Sequence, residues 1–165
     1  MAARLGASTA LTAALATGHA AELVTVGWIE RVGLGTERVL VAAKLDTGAD
    51  TSSLHAVDIR MSSRADGDWV AFDVTGHDGV TTRFERKVVR VARVRRASGG
   101  TQLRPVVLMG VCLGRVYRMT EVNLTDRSGF NYEFLVGRSF LAPNFAVDSA
   151  RINTVEPDCP ETRRR

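Results

Sequence analysis

The chain has 165 residues, of which 45% are hydrophobic and 24% are charged, which is typical of one globular domain and excludes disordered or collagen-like proteins. The formal net charge is +4, and the basic residues are nearly all arginine, so nucleic acids and acidic polypeptides are the partners to consider. Only 6% of the residues are aromatic and they form no stacking stripe, so we do not expect nucleic-acid binding.

The two ends of the chain differ from its centre. Arg4 precedes an Ala/Leu/Thr stretch over residues 5–16, and small residues follow with the spacing of a signal-peptidase site. The stretch is too short and too Ala-rich to span a bilayer, so no membrane partner is predicted. We expect a signal peptide or disordered leader at 1–21, a single domain at 22–156 and a disordered tail at 157–165. Export to the periplasm is favoured over a frayed helical extension on a cytoplasmic protein.

Short β-strands separated by glycine-containing turns make up the rest of the chain. Apolar runs rich in β-branched and aromatic residues recur about every ten residues, which predicts an all-β barrel or sandwich. The predicted strands span residues 24–34, 38–44, 52–56, 69–74, 80–84, 88–94, 103–108, 117–124, 134–136, 146–148 and 152–155. One short helix is predicted at 139–142, stopped by Pro143. Cys112 and Cys159 pair if the protein is exported, and otherwise Cys112 is a small core residue.

The second strand runs into the segment Asp46-Thr47-Gly48-Ala49-Asp50. An acid, a hydroxyl and a glycine at the end of an apolar strand are typical of a tight turn, and Gly48 allows a second backbone or a substrate to come close. Alone, this segment indicates no more than a turn after a core strand.

A second segment near the C-terminus, Phe-Leu-Val-Gly-Arg-Ser-Phe-Leu over residues 134–141, matches the first. The chain resembles the retropepsin-like aspartic peptidases, the group that contains the retroviral proteases. The resemblance lies in the order of its motifs, which is an apolar strand, then Asp-Thr-Gly-Ala-Asp, and later an apolar segment followed by Gly-Arg. A bacterial branch labelled ATP-dependent zinc protease is more similar still, through residues 44–49, 123–127 (Asn-Leu-Thr-Asp-Arg) and 136–141. Some members of that branch are encoded beside glutamate ligases that modify a ribosomal protein. The resemblance covers residues 24–155.

The resemblance implies a retropepsin-like β-barrel with one short C-terminal helix and an aspartic endopeptidase activity. Asp46, Thr47 and Gly48 would be the catalytic residues. Hydrolysis by carboxylates requires two of them sharing one proton, and the chain has one Asp-Thr-Gly. The second Asp46 would therefore come from a second copy, which makes a homodimer the expected partner. The substrate would be a peptide or protein, and the basic charge and the ligase neighbourhood favour an acidic one.

Supporting roles follow from the same resemblance. Asp50 and Arg138 match the positions of an intrachain ion pair beneath the dimer contact, although Arg138 could also be a solvated residue at the start of the helix. Leu135, Val136 and Gly137 are expected to pack behind the Asp46 turn, and Ala49 is expected to bind substrate or support the site. A flap is predicted at the glycine-rich tip with Ser98, Gly99 and Gly100, and the turn at 76–79 is the second candidate.

Three further observations concern metal binding, the segment at residues 126–127 and an alternative function. His19, His55 and His77 are scattered without a metal-binding spacing, and no phosphate-binding Gly-x-x-x-x-Gly-Lys motif is present, so neither metal nor cofactor is expected. Asp126 and Arg127 indicate a turn held by an Asp side chain, with a role beside the substrate as the alternative. The competing function is a catalytically silent retropepsin-like module for binding or dimerisation.

Overall fold

A computed structural model describes residues 23–95 and 99–160. The described chain forms ten β-strands and one four-residue helix, which confirms the all-β prediction and the short helix. The elements are β1 (Val24–Leu34), β2 (Val39–Asp46), β3 (Ser52–His55), β4 (Val57–Arg64), β5 (Gly67–Thr75), β6 (Thr81–Arg95), β7 (Thr101–Leu113), β8 (Val116–Thr125), β9 (Phe134–Gly137), α1 (Arg138–Leu141) and β10 (Phe145–Ile152). Within these residues no helix is long and apolar enough to cross a membrane.

All ten strands belong to one sheet, in the order β10-β1-β2-β9-β3-β8-β7-β6-β5-β4. An additional pairing between β1 and β7 closes the six strands from β1 to β7 in this order into a ring. The ring encloses a core of Val, Leu and Phe side chains because its strands alternate buried and exposed residues. Strands β6, β5 and β4 extend from the ring as a meander, and β4 is the edge strand.

Three strand predictions were wrong. Strand β4 was not predicted, because all but one of its residues are exposed and the sequence therefore shows no apolar periodicity. Strand β6 is continuous from Thr81 to Arg95, where two strands had been predicted, because its polar middle lies on the surface rather than in a turn. Strand β10 likewise replaces two shorter predicted strands and pairs in parallel with β1.

The chain remains packed beyond residue 156, where the tail was predicted to begin. Cys112 and Cys159 form a disulfide, and Cys159 is buried. The backbone N–H of Asp158 also donates to the carbonyl of Gly114 at 2.7 Å. Residues 157–160 are therefore attached to the ring, and residues 161–165 lie outside the described part, like the leader predicted at 1–21.

A buried carboxylate attaches the segment after β10 to β1. Glu30 has no exposed surface, and its oxygens accept hydrogen bonds from the backbone N–H groups of Gly27 (2.7 Å), Thr154 (2.9 Å) and Val155 (3.3 Å) and from the Thr154 hydroxyl (2.5 Å). Because the carboxylate only accepts, every one of these donors is satisfied.

Glu30→Gln is expected to lower the free energy of unfolding by about 2–3 kcal/mol, because the amide nitrogen would face backbone donors and leave one of them unsatisfied. Urea unfolding at neutral pH measures the change. Glu121→Gln is the matched control, since Glu121 forms its ion pair with Arg90 at the surface. Equal unfolding midpoints for the two variants would contradict the role given to Glu30.

Candidate active site

The candidate active site begins where β2 leaves the ring at Asp46. Oδ1 of Asp46 accepts hydrogen bonds from the backbone N–H groups of Gly48 (3.0 Å) and Ala49 (3.2 Å), so the turn fixes the orientation of its own carboxylate. Oδ2 lies 3.9 Å from Nζ of Lys44, which precedes it by two residues and shares its face of β2. Thr47 and Gly48 are exposed at the tip of the turn.

Strand β9, which was predicted to pack behind this turn, supports it together with helix α1. Gly137 pairs with Asp46 in a parallel ladder, and its N–H donates to the hydroxyl of the buried Ser52 at 3.1 Å. The N–H groups of Arg138 and Ser139 donate to the carbonyls of Ala49 (2.7 Å) and Asp50 (3.0 Å). The N–H groups at the start of α1, which lack partners within the helix, therefore bind the Asp46 turn.

The predicted ion pair between Arg138 and Asp50 is present. The guanidinium also donates from Nη1 to the carbonyl of Thr47 at 3.2 Å, so one side chain spans the turn. The two side chains are 51% and 80% exposed in the single chain, where such a pair contributes little to stability. Asp50, the second acid of the turn, is thus directed to Arg138.

A cleft of about 450 Å³ opens beside Asp46. It is lined by Trp28, Lys44, Asp46, Arg127, Phe130, Asn131, Tyr132 and Leu135. Trp28 and Tyr132 meet edge to face with ring centroids 6.1 Å apart, and together with Phe130 they form an aromatic wall. Sequence reasoning missed this wall because Trp28 reads as an ordinary strand residue and the other two lie in a loop.

Arg127 is the most buried cation of the cleft, at 8% exposure. Burial, together with the nearby Arg104 guanidinium, lowers the pKa of Arg127 below its usual value. Its backbone N–H donates to Nδ1 of His55 at 2.8 Å, its guanidinium donates to the Ser53 hydroxyl at 3.3 Å, and its charge lies over the Phe130 ring. His55 therefore fixes the segment that carries Arg127.

The turn predicted at Asp126 is also present. Oδ1 of Asp126 accepts the backbone N–H of Ser128 at 2.8 Å, and this hydrogen bond is the main reason why the pKa of Asp126 is lowered. The same oxygen lies 3.6 Å from Nδ1 of His55. Among residues 23–95 and 99–160, no three His, Cys, Asp or Glu side chains lie close enough together to hold a metal ion.

The two flap candidates lie in different places. Gly99 and Gly100 have φ values of 89° and 83° at the tip between β6 and β7, where glycine is required, while Ser98 lies outside the described residues. The alternative turn at 76–79 packs against the start of β2, where the N–H of His77 donates to the carbonyl of Leu40 at 2.7 Å. That turn is at the opposite end of β2 from Asp46.

A strand ring that carries an Asp-Thr-Gly turn, supported from behind by an apolar-Gly-Arg segment, defines a retropepsin-like protein. The RimB-like family model, described as retropepsin-like aspartic endopeptidase RimB, matches residues 25–157, and the chain belongs to this family.

Curated relatives and a solved structure are also similar to this chain. Proteins named probable alpha-L-glutamate ligase are 34% identical over 124 residues in Parasynechococcus marenigrum and 32% identical over 111 residues in Shewanella pealeana. These matches cover 73% and 66% of this chain but only 26% and 24% of the relatives, so the chain spans about a quarter of their length. A crystal structure of a Legionella pneumophila protein of unknown function is 35% identical, with a TM-score of 0.68, covering 80% of this chain and 98% of that one.

Proposed function

We propose that this protein is an aspartic endopeptidase that is active as a homodimer, with one Asp46 carboxylate from each copy. The observation that carries the proposal is the placement of Asp46 at an exposed turn, braced by β9 and α1, with Thr47 and Gly48 open to an approaching copy. Asp50, the other carboxylate of the same turn, is not the second catalytic group in this proposal, because it is paired with Arg138.

In the proposed dimer the two Asp46 carboxylates share one proton, because two like charges at close range do not both ionise readily. The ionised group takes a proton from a water molecule as that water attacks the peptide carbonyl. The protonated group donates a hydrogen bond to the carbonyl oxygen and stabilises the oxyanion. The hydrogen bonds from Gly48 and Ala49 to Oδ1 hold each carboxylate in place for these steps.

The substrate we propose is a peptide or protein segment of acidic character. The cleft beside Asp46 has the volume to hold side chains of an extended peptide, and Lys44 and Arg127 give it positive charge. The names of the ligase relatives, which refer to glutamate, point in the same direction. The β6–β7 hairpin is the proposed flap, since the turn at 76–79 lies away from Asp46.

The test measures the oligomeric state of the protein and its peptidase activity on the same samples. Sedimentation of the purified protein over a dilution series is expected to show a dimer that dissociates, and cleavage of a peptide library per subunit is expected to fall as the dimer dissociates. Activity per subunit that stays constant in a monomeric sample would overturn the shared site. A stable dimer that cleaves no peptide of the library would favour the silent binding module.

A further inference from the structure

We infer that Arg127 and Arg104 form a subsite that binds a carboxylate group of the substrate and so determines specificity. The two arginines come from different elements, the loop after β8 and strand β7. The inference rests on the proposed function in one respect, because it requires that a peptide occupies the cleft beside Asp46.

A chain of neutral hydrogen-bonding groups joins the two guanidinium groups. Arg127 donates to the Ser53 hydroxyl at 3.3 Å, Ser53 donates to Oδ1 of Asn123 at 3.0 Å, and Nη1 of Arg104 donates to the same oxygen at 3.1 Å. Arg104 also donates to Oε1 of Gln102 at 3.0 and 2.9 Å.

The charge of Arg127 is not balanced within its own surroundings. In the part of the chain that the structure describes, its side chain contacts the Ser53 hydroxyl, the Tyr132 carbonyl at 3.4 Å and the Phe130 ring, and no carboxylate lies within ion-pair distance. A buried cation beside another cation is costly unless an anion approaches. A guanidinium fork matches the two oxygens of a carboxylate, which makes that group the favoured anion.

Strand register places the subsite on the same face of the sheet as Asp46. Lys44 pairs with Leu135, Leu135 with Ser53, Ser53 with Asn123, and Asn123 with Val106, and paired residues share a face. Arg104 precedes Val106 by two residues on β7 and Asp46 follows Lys44 by two on β2, so both lie on this face. We therefore expect a peptide that extends across these strands from Asp46 to bring its flanking residues first to Arg127, which lines the cleft, and then to Arg104.

His55 acts here as a positioning residue rather than a ligand. Its Nδ1 accepts the N–H of Arg127 while its neighbour Leu54 lies in the core, so the imidazole connects the arginine segment to β3. The carboxylate bound at the subsite has two sources in a peptide, an acidic side chain or the terminal α-carboxylate. The experiment must separate them.

The test measures binding and cleavage with matched peptides. Four peptides serve as probes. Two are alanine-rich, are blocked at both ends and differ only in having one Glu or one Gln at the same position. The other two are all-alanine peptides, one with a free C-terminal carboxylate and one with an amidated C-terminus. Binding is measured on the Asp46→Asn protein and cleavage on the wild type. We expect the Glu peptide to bind about ten- to a hundredfold more tightly than the Gln peptide, as a charge-assisted hydrogen bond does. A preference confined to the free-carboxylate probe assigns the subsite to the α-carboxylate.

Variants link the preference to the two arginines. Arg127→Gln and Arg104→Gln are each expected to reduce the Glu-to-Gln ratio toward one, while Arg127→Lys keeps charge but loses the fork and gives an intermediate ratio. Arg83→Gln is the control, because Arg83 pairs with Asp73 on the distant meander. His55→Gln is expected to weaken the binding of the Glu peptide relative to the Gln peptide, while kcat for the Gln peptide stays unchanged.

The outcomes separate this inference from the peptidase proposal. A wild-type protein with no preference among the four probes would overturn the subsite, and so would a Glu preference that survives both glutamine variants. Binding with the expected preference but without cleavage would leave the subsite standing and remove the peptidase activity. The ratio of Glu-peptide to Gln-peptide binding is measured on the same protein variant. A general loss of stability affects both peptides equally and therefore does not change this ratio.

Discussion

Asp46→Asn is expected to lower kcat/KM for peptide cleavage by at least about a thousandfold, because the dyad would lose both its shared proton and its base. The fold should be unchanged, since the amide oxygen can still accept the N–H groups of Gly48 and Ala49 that Oδ1 accepts now. Peptide digestion followed by mass spectrometry measures the activity, and sedimentation measures the dimer. Cleavage at the wild-type rate would end the assignment of Asp46.

A matched control is available in the turn at 76–79. Oδ1 of Asp78 accepts the N–H of Val80 at 3.0 Å, two residues on, in the same arrangement as Asp46 and Gly48. Asp78→Asn should therefore reproduce any structural effect of the substitution and leave cleavage intact.

Mixing wild type with excess Asp46→Asn protein tests the sharing of the site. Exchange should place wild-type subunits in mixed dimers, so the activity per wild-type subunit should fall as the variant is added. Unchanged activity in a mixture shown to exchange subunits would mean that each chain works alone.

The elements that the sequence predicted well are those with a strong local signal. Strand β1 was predicted at its observed bounds because an apolar, β-branched run ends in glycine there. The contact between the Asp46 turn and the segment at Gly137 and Arg138 was implied by the family resemblance that two linear motifs carry, and the ladder and the Arg138–Asp50 pair show it. The ring itself depends on pairings such as β1 with β7, which no local pattern indicates.

What the sequence could not predict depends on long-range contacts. Arg127 reads as part of a turn, and only the folded chain places it against Ser53, 74 residues away, and over the Phe130 ring. The side chains that form the cleft wall come from β1 and from the loop before β9, so neither segment shows a site by itself. Strand β4 was missed for the opposite reason, since an exposed edge strand buries too little to leave a pattern.

At Gly137, behind the Asp46 turn, one added carbon would collide with backbone atoms. An ideal Cβ there would lie 2.6 Å from the carbonyl carbon of Thr51, 2.7 Å from its oxygen and 2.9 Å from the carbonyl oxygen of Asp50. All three atoms belong to backbone, which cannot rotate away as a side chain can. The φ of −86° is accessible to any residue, so the penalty is one of space alone.

Gly137→Ala is therefore expected to lower the free energy of unfolding by about 3 kcal/mol, the upper end of overpacking effects, and to reduce activity because relief of the contact displaces the Asp46 turn. Urea unfolding and peptide cleavage are the measurements. Gly129→Ala is the control: a Cβ at Gly129 meets nothing within 4 Å among the described residues, so the variant should unfold within about 0.5 kcal/mol of the wild type. If both alanine variants have the same free energy of unfolding as the wild type, the close approach between β9 and the Asp46 turn does not stabilise the site. If Gly137→Ala alone is destabilised yet cleaves normally, the contact supports the fold without positioning Asp46.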